Sequence, residues 1–146
     1  MSKVEDFLSA QEEKEIIEAI RKAEKRTSGE IRVHIEPSAG KDSLHRAKEV
    51  FHWLKMDNTK EDNGVLIYVA VNDHKFAIYG DKGIDKVVPE NFWNSTKDII
   101  QDHFRKKQFK DGLVAGILKA GEQLETHFPW KHDDINELPD QISKGK

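Results

Sequence analysis

The strongest constraint on the fold is a pair of strand-like runs lying between Asp62 and Asp85. Residues 65–71 form an almost wholly apolar run, and residues 76–79 form a second run after a short polar turn. A turn this short joins antiparallel neighbours, so the two runs predict a hairpin. Because a hairpin returns the chain to its starting edge, Asp62 is expected to lie close to the loop that contains Asp85.

The rest of the chain predicts helices on both faces of the sheet that this hairpin starts. Residues 31, 33 and 35 are apolar and alternate with polar residues, which predicts an earlier strand with one dry face. Helical spacing elsewhere gives the order α-β-α-β-β-α-α. The first strand, the next helix and the run 65–71 should form a parallel βαβ unit, with that run as the central strand. We therefore predict an α/β fold, a three-layer α-β-α sandwich around a small mixed sheet.

The boundaries of the domain are expected at residues 1–128. Residues 87–88 are candidates for a short edge strand, and Pro89 suits the first turn of the helix that follows. Residues 129–146 are polar and show no periodicity, which predicts a disordered C-terminal tail.

The composition excludes several functional classes. The 146 residues include 24 Lys and Arg against 27 Asp and Glu, a net charge of -3, so no nucleic-acid partner is expected. The chain has no cysteine, which rules out thiolate zinc sites and a cysteine nucleophile. No apolar run reaches the length of a membrane segment. As written, the sequence is expected to be a cytoplasmic monomer, with a trimmed leader peptide left open.

The loops that flank the hairpin predict a cation site. Parallel pairing should bring Glu30, which begins the first strand, close to the turn before residue 65. The candidate ligands at this edge are Asp62, Asn63, Asp81, Asp85 and Glu30. Oxygen donors without histidine or cysteine favour calcium first and magnesium second. The alternative is that these are ordinary turn residues, since turns commonly use Asp, Asn and Gly.

Four short motifs also resemble those of one protein family. They are the sequences Ser-Gly-Glu-Ile-Arg-Val at 28–33, Asp-Asn-Gly-Val-Leu-Ile at 62–67, Ile-Tyr-Gly-Asp-Lys-Gly-Ile-Asp at 78–85, and Phe-Arg at 104–105 followed by Phe-Lys-Asp-Gly-Leu at 109–113. In this order they resemble the TPM domain family, named partly after a phosphatase of thylakoid photosystem repair. The resemblance spans roughly residues 7–128. It implies a three-layer fold, divalent-cation binding and a phosphatase label.

The resemblance leaves the function open among three classes. The first is a divalent-cation binding domain of calcium type. The second is a metal-dependent acid-type phosphatase acting on phosphomonoesters, in which Asp81 or Asp85 would hold the metal and Arg32 or Lys82 would face a phosphate. No residue is identified as its nucleophile, so catalytic residues stay unknown. The third is a protein-binding adaptor without catalysis. The partners expected are accordingly a metal ion and a phosphorylated substrate or protein.

Overall fold

The computed structural model describes residues 3–130 and 140–145. Two helices precede the first strand, a helix and a two-strand hairpin follow it, and three more helices lead to a short last strand. Their bounds are α1 Lys3–Phe7, α2 Ala10–Ala23, β1 Glu30–Glu36, α3 Ser43–Trp53, β2 Gly64–Ala70, β3 Lys75–Gly80, α4 Lys82–Asp85, α5 Asn94–Arg105, α6 Phe109–Glu125 and β4 Ser143–Lys144. No helix within the described ranges is long and apolar enough to cross a bilayer.

The sheet has the strand order β3-β2-β1-β4. β1 and β2 are parallel with Glu30 opposite Gly64, and β2 and β3 are antiparallel with Val65 opposite Gly80. Both the hairpin and the parallel βαβ unit predicted from sequence are therefore confirmed. β2 lies inside the sheet, and each of its seven residues is buried, which agrees with its continuous apolar sequence.

Helices cover both faces of this mixed sheet, as predicted for a three-layer α/β sandwich. On one face, α2, α5 and α6 pack on alternate residues of the strands, such as Val33 and Ile67. On the other face, α3 packs on the intervening residues, such as Leu66 and Tyr68. The prediction that only one face of β1 would be buried was wrong. His34 and Glu36 are 0% and 4% exposed, because Arg46 of α3, Tyr68 of β2 and Ser143 of β4 contact them on that face.

Capping residues fix where the helices over this sheet begin. Ser9 and Glu12 form the capping box that starts α2, with Ser9 Oγ accepting from the Glu12 amide. Asp42 starts α3 by accepting hydrogen bonds from the amides of Leu44 and His45.

Two predictions about the later part of the chain need correction. Residues 87–88 do not form a strand, because the amides of both bond back to Ile84 and continue the turn of α4. The short additional strand at an edge of the sheet is instead β4, which pairs in parallel with β1 through His34 and Ser143. Residues 140–145 are thus not the disordered tail predicted from sequence. Residues 131–139 and 146, which that prediction also covered, lie outside the described residues.

Candidate functional site

The main chains of the predicted ligands meet at one edge of the sheet. The Asp81 amide donates to the Gly64 carbonyl at 2.9 Å, and the Glu30 amide donates to the Asn63 carbonyl at 3.3 Å. These two hydrogen bonds tie the end of β3 and the start of β1 to the turn that leads into β2. The hairpin brings Asn63 and Asp81 to the same edge, and the parallel pairing of β1 with β2 brings Glu30 there.

A close contact between two loops shapes this edge. The Gly83 amide donates to the Asp62 carbonyl at 2.8 Å. A Cβ atom at residue 83 would overlap the carbonyl oxygens of Glu61 and Asp62, so only glycine permits this approach. Asp62 itself has φ of 51°, a left-handed conformation that Asp tolerates better than most residues.

Asp81 is the most unusual group at this edge. It caps α4, with its Oδ1 accepting from the Lys82 amide at 2.8 Å. The residue is only 5% exposed, and its Oδ2 is buried without a hydrogen-bond partner among the described residues. Burial raises the pKa of Asp81, and the negative charges of Asp62 and Asp57 raise it further. An ionised carboxylate here is therefore short of a positive or hydrogen-bonding partner.

Three further aspartates lie around Asp81, and we call Asp57, Asp62, Asp81 and Asp85 the acidic loop cluster. Its field acts on Tyr79: burial raises the pKa of that phenol, and Asp81, Asp85 and Asp57 add to the rise. Asp57 was missed in the sequence, although it begins the polar segment 57–63 that precedes β2.

Two basic side chains contact aspartates of the acidic loop cluster at its rim. Lys82 Nζ is 3.9 Å from Asp62 Oδ2, and His52 Nδ1 is 2.9 Å from Asp57 Oδ2. The Lys82 side chain is 70% exposed, so it neutralises the cluster only weakly.

Asn63, a predicted ligand, uses its side-chain amide elsewhere. Its Nδ2 donates to Ser28 Oγ at 3.2 Å and to Glu61 Oε2 at 3.4 Å. Ser28 Oγ in turn donates to Glu61 Oε2 at 2.6 Å. The side-chain amide of Asn63 therefore joins the α2–β1 turn to the β2 turn.

Glu30, also a predicted ligand, belongs to a separate group of carboxyls with Glu24 and Asp140. Burial, followed by hydrogen bonds to Asp140 and Glu30, raises the pKa of Glu24 to about 11. Glu24 Oε2 also accepts from the Ile31 amide at 3.2 Å. This group could not be found from sequence, because Asp140 reaches it only when the C-terminal segment folds back onto β1.

The two residues proposed to face a phosphate are not brought together. Arg32 lies on the β4 side of the sheet, where its Nε is 3.5 Å from the Gln141 carbonyl. Lys82 follows β3, the outer strand on the other side of the sheet from β4.

A buried polar network on the α3 face was missed in the sequence. His34 contacts Ser143 Oγ through Nδ1 at 2.8 Å and Glu36 Oε1 through Nε2 at 3.0 Å. Arg46 Nε donates to Glu36 Oε2 at 2.7 Å, and the Tyr68 hydroxyl donates to the same oxygen. The signal for it was the alternation of His34 and Glu36 in β1, which sequence reasoning assigned to a solvated face.

The side chains alone do not form a closed metal centre. Among residues 3–130 and 140–145, no three His, Asp or Glu side chains are arranged to hold one metal ion together. A cation at the acidic loop cluster would therefore rely on one or two carboxylates completed by main-chain carbonyls and water. Calcium accepts such a set, since six to eight mixed oxygen ligands are its usual shell.

Comparison with known proteins found one matching family model and several solved structures of similar fold. The family model for the TPM domain matches residues 1–123. The NMR structure of BA42 protein from the psychrophilic bacterium Bizionia argentinensis is 62% identical, with a TM-score of 0.92 over 99% of this chain and 100% of that one. None of the curated proteins compared with this chain matches it.

Two more distant solution structures share the fold alone. The N-terminal domain of a protein from P. gingivalis is 22% identical, with a TM-score of 0.68 over 86% of this chain and 83% of that one. The N-terminal domain of cg2496 from Corynebacterium glutamicum is 10% identical, with a TM-score of 0.63 over 92% and 79%. With the family match over most of its length, this chain belongs to the TPM domain family.

Proposed function

We propose that this TPM domain binds a divalent cation of calcium type at the acidic loop cluster. The observation that carries the proposal is Asp81 Oδ2, a buried carboxylate oxygen without a hydrogen-bond partner in the described chain, facing the negative charge of Asp62 and Asp57. A bound cation relieves both the missing contact and the repulsion.

The residues present fit calcium better than magnesium. Asp81 and Asp62 supply carboxylate oxygens, with Asp57 and Asp85 adding charge around them. Magnesium demands near-ideal octahedral geometry, whereas calcium accepts irregular sets that include carbonyls and water. With few carboxylates directly available, we expect a dissociation constant on the order of 10⁻⁴ to 10⁻³ M.

The phosphatase alternative ranks second because of the positions of its proposed phosphate-facing residues. Transition-state stabilisation of a phosphoryl group needs cationic groups converging on one point. Arg32 and Lys82 lie at opposite sides of the sheet, so Lys82 alone is near the acidic loop cluster. The adaptor alternative ranks third, and an acidic loop cluster indifferent to cations would favour it.

The direct test is a calcium titration of the metal-free full chain, followed by NMR. We expect saturable shifts of amides in the loops around residues 57–64 and 80–86, and smaller effects with magnesium. Asp81→Asn keeps the side-chain shape and an oxygen able to cap α4 but removes the charge, and should weaken binding by about tenfold or more.

Asp98→Asn is the matched control, because Asp98 is an exposed aspartate on α5 away from the cluster. It should bind calcium like the parent chain. Equal affinity in the Asp81→Asn variant, or shifts confined to other surfaces, would overturn the proposal. Turnover of an aryl phosphate that disappears in Asp81→Asn would move the phosphatase alternative to first place.

A further inference from the structure

A second feature with the properties of a ligand site lies at the other end of the strands from the acidic loop cluster. It is a cavity of about 840 Å³ beside the carboxyl end of β2, where Val69, Ala70 and Val71 form part of its wall. Seven-residue strands separate this end from the acidic loop cluster by roughly 20 Å. The volume lies within the range of about 300–1,000 Å³ that is usual for small-molecule sites.

Four phenylalanine rings form one part of the cavity wall. Phe7 and Phe109 have ring centroids 4.7 Å apart, Phe104 and Phe109 are 5.3 Å apart, and Phe76 and Phe104 are 5.5 Å apart. All four rings are only half-buried, although they pack on the main core. Their remaining exposed faces line the cavity and offer apolar surface to a ligand.

The rim of the cavity carries an excess of positive charge. Lys75, Arg105 and Lys107 line it, and each is exposed. Within the described ranges no carboxylate lies at ion-pair distance from any of the three, and Asp6 is the one acidic side chain in the described lining. In a chain with a net charge of -3, such a local excess of cations is the complement of an anionic group.

We propose that this cavity binds a free amphipathic carboxylate, with its hydrocarbon chain against the phenylalanine rings and its carboxylate at the Lys75, Arg105 and Lys107 rim. A hydrocarbon chain matches the wall because it needs no hydrogen-bond partners along its length. An extended peptide would bring a polar amide at every residue, which the ring faces cannot satisfy. The single charged end then accounts for cations confined to the rim.

The test is isothermal titration calorimetry of the full chain with dodecanoate below its micelle concentration, in the presence of chelator. Chelator makes the result independent of the cation proposal. We expect saturable one-to-one binding, and NMR shifts centred on residues 69–76 and 101–109. Dodecanol, which has the same chain without the charge, should bind about tenfold more weakly.

Charge-reversal variants separate this site from non-specific binding of a detergent-like molecule. The Lys75→Glu, Arg105→Glu double variant should weaken dodecanoate binding by about tenfold or more, since it replaces attraction by repulsion at the rim. The Lys48→Glu, Lys97→Glu double variant changes the net charge equally at exposed positions outside the lining and should bind normally. Gln101→Trp, at an exposed lining position on α5, should block the cavity without changing its charge.

Three results would overturn the proposal. They are the absence of saturable binding, equal weakening in both double variants, and shifts that spare residues 69–76 and 101–109. Binding to anionic phospholipid vesicles without binding of free dodecanoate would assign the basic rim to a membrane surface, which also contradicts the proposal.

Discussion

At the scale of single residues, the buried Glu36 and the half-buried Glu24 have pKa values shifted in opposite directions. Burial alone would raise the pKa of Glu36, but hydrogen bonds from Arg46, Tyr68 and His34 together outweigh it and hold that pKa at about 2. Glu24 has no such donors among its side-chain partners, and its neighbours Asp140 and Glu30 are themselves carboxyls. Glu36 is therefore favoured as the anion in the fold, and Glu24 as the neutral acid.

The low pKa of Glu36 predicts a loss of stability in acid. Its folded pKa lies below the unfolded value of 4.5, so its contribution is present above pH 4.5 and is lost as pH falls towards about 2. We expect Glu36→Gln to lower the free energy of unfolding by about 2 kcal/mol at pH 7. The difference from the parent chain should shrink towards pH 2, as measured by urea unfolding. Glu49→Gln, which removes a weak 3.8 Å contact to Arg46, should change little at either pH.

The raised pKa of Glu24 predicts a pH dependence of stability opposite in sign to that caused by Glu36. Its folded pKa of about 11 lies above the unfolded value of 4.5, so its favourable contribution is complete below pH 4.5 and falls as pH rises. Glu24→Gln keeps an acceptor for the Ile31 amide without a proton to lose, and should raise the free energy of unfolding at pH 8 by about 1–2 kcal/mol. The gain should vanish near pH 4. A variant less stable than the parent at pH 8 would contradict this account, and Glu18→Gln on the exposed side of α2 serves as the control.

At the scale of elements, the short strand β4 decides the environment of the network on β1. The Gly145 amide donates to the Ile35 carbonyl at 2.7 Å, and Ser143 Oγ covers His34 Nδ1. Burial lowers the pKa of His34, with the charges of Arg46 and Arg32 adding to the effect against the pull of Glu36. A two-residue strand thus keeps the imidazole neutral by excluding water from it.

Disturbing β4 should therefore be visible in the titration of His34. A Cβ at residue 145 would lie 2.6 Å from Glu36 Cβ, so Gly145→Ala should displace β4. We expect the His34 pKa, followed by NMR, to rise towards its ordinary value as water reaches the ring. Lys144→Ala removes the 3.1 Å ion pair with Glu13 but keeps the strand backbone, and should leave the His34 titration unchanged. An identical His34 pKa in the Gly145→Ala variant would show that β4 does not control it.

At the scale of the whole molecule, the sequence predicted the layers and the strand pairing but not the position of every side chain. The period-2 alternation, the wholly apolar run and the short polar turn determine which strands pair, and these are local signals. The position of the Glu30 carboxyl was not predictable in the same way, since it depends on residues 140–145 returning more than a hundred positions later. A strand of two residues carries no periodicity, so β4 left no pattern to detect.

Cation binding at the acidic loop cluster should stabilise the whole fold, because the cluster joins the end of β3 to the turn before β2. At a calcium concentration about a hundredfold above the dissociation constant, mass action adds about 2.7 kcal/mol to the free energy of unfolding. For a domain of this size, that corresponds to a rise in melting temperature of roughly 5–10 °C. Thermal unfolding followed by circular dichroism, with calcium and with chelator, measures the rise.

The rise should disappear in Asp81→Asn and persist in Asp98→Asn, because only Asp81 supplies the buried carboxylate oxygen. Hydrogen exchange should locate the effect: calcium should slow exchange mainly at residues 80–85 and 57–64, with little change in α5 and α6. Although Ile84 of α4 joins the same core, α5 and α6 pack mainly on each other and, through α6, on α2, so their local opening depends less on the loops. Superimposed melting curves with calcium and chelator would mean that the aspartates act only as turn and capping residues, as the alternative from sequence holds.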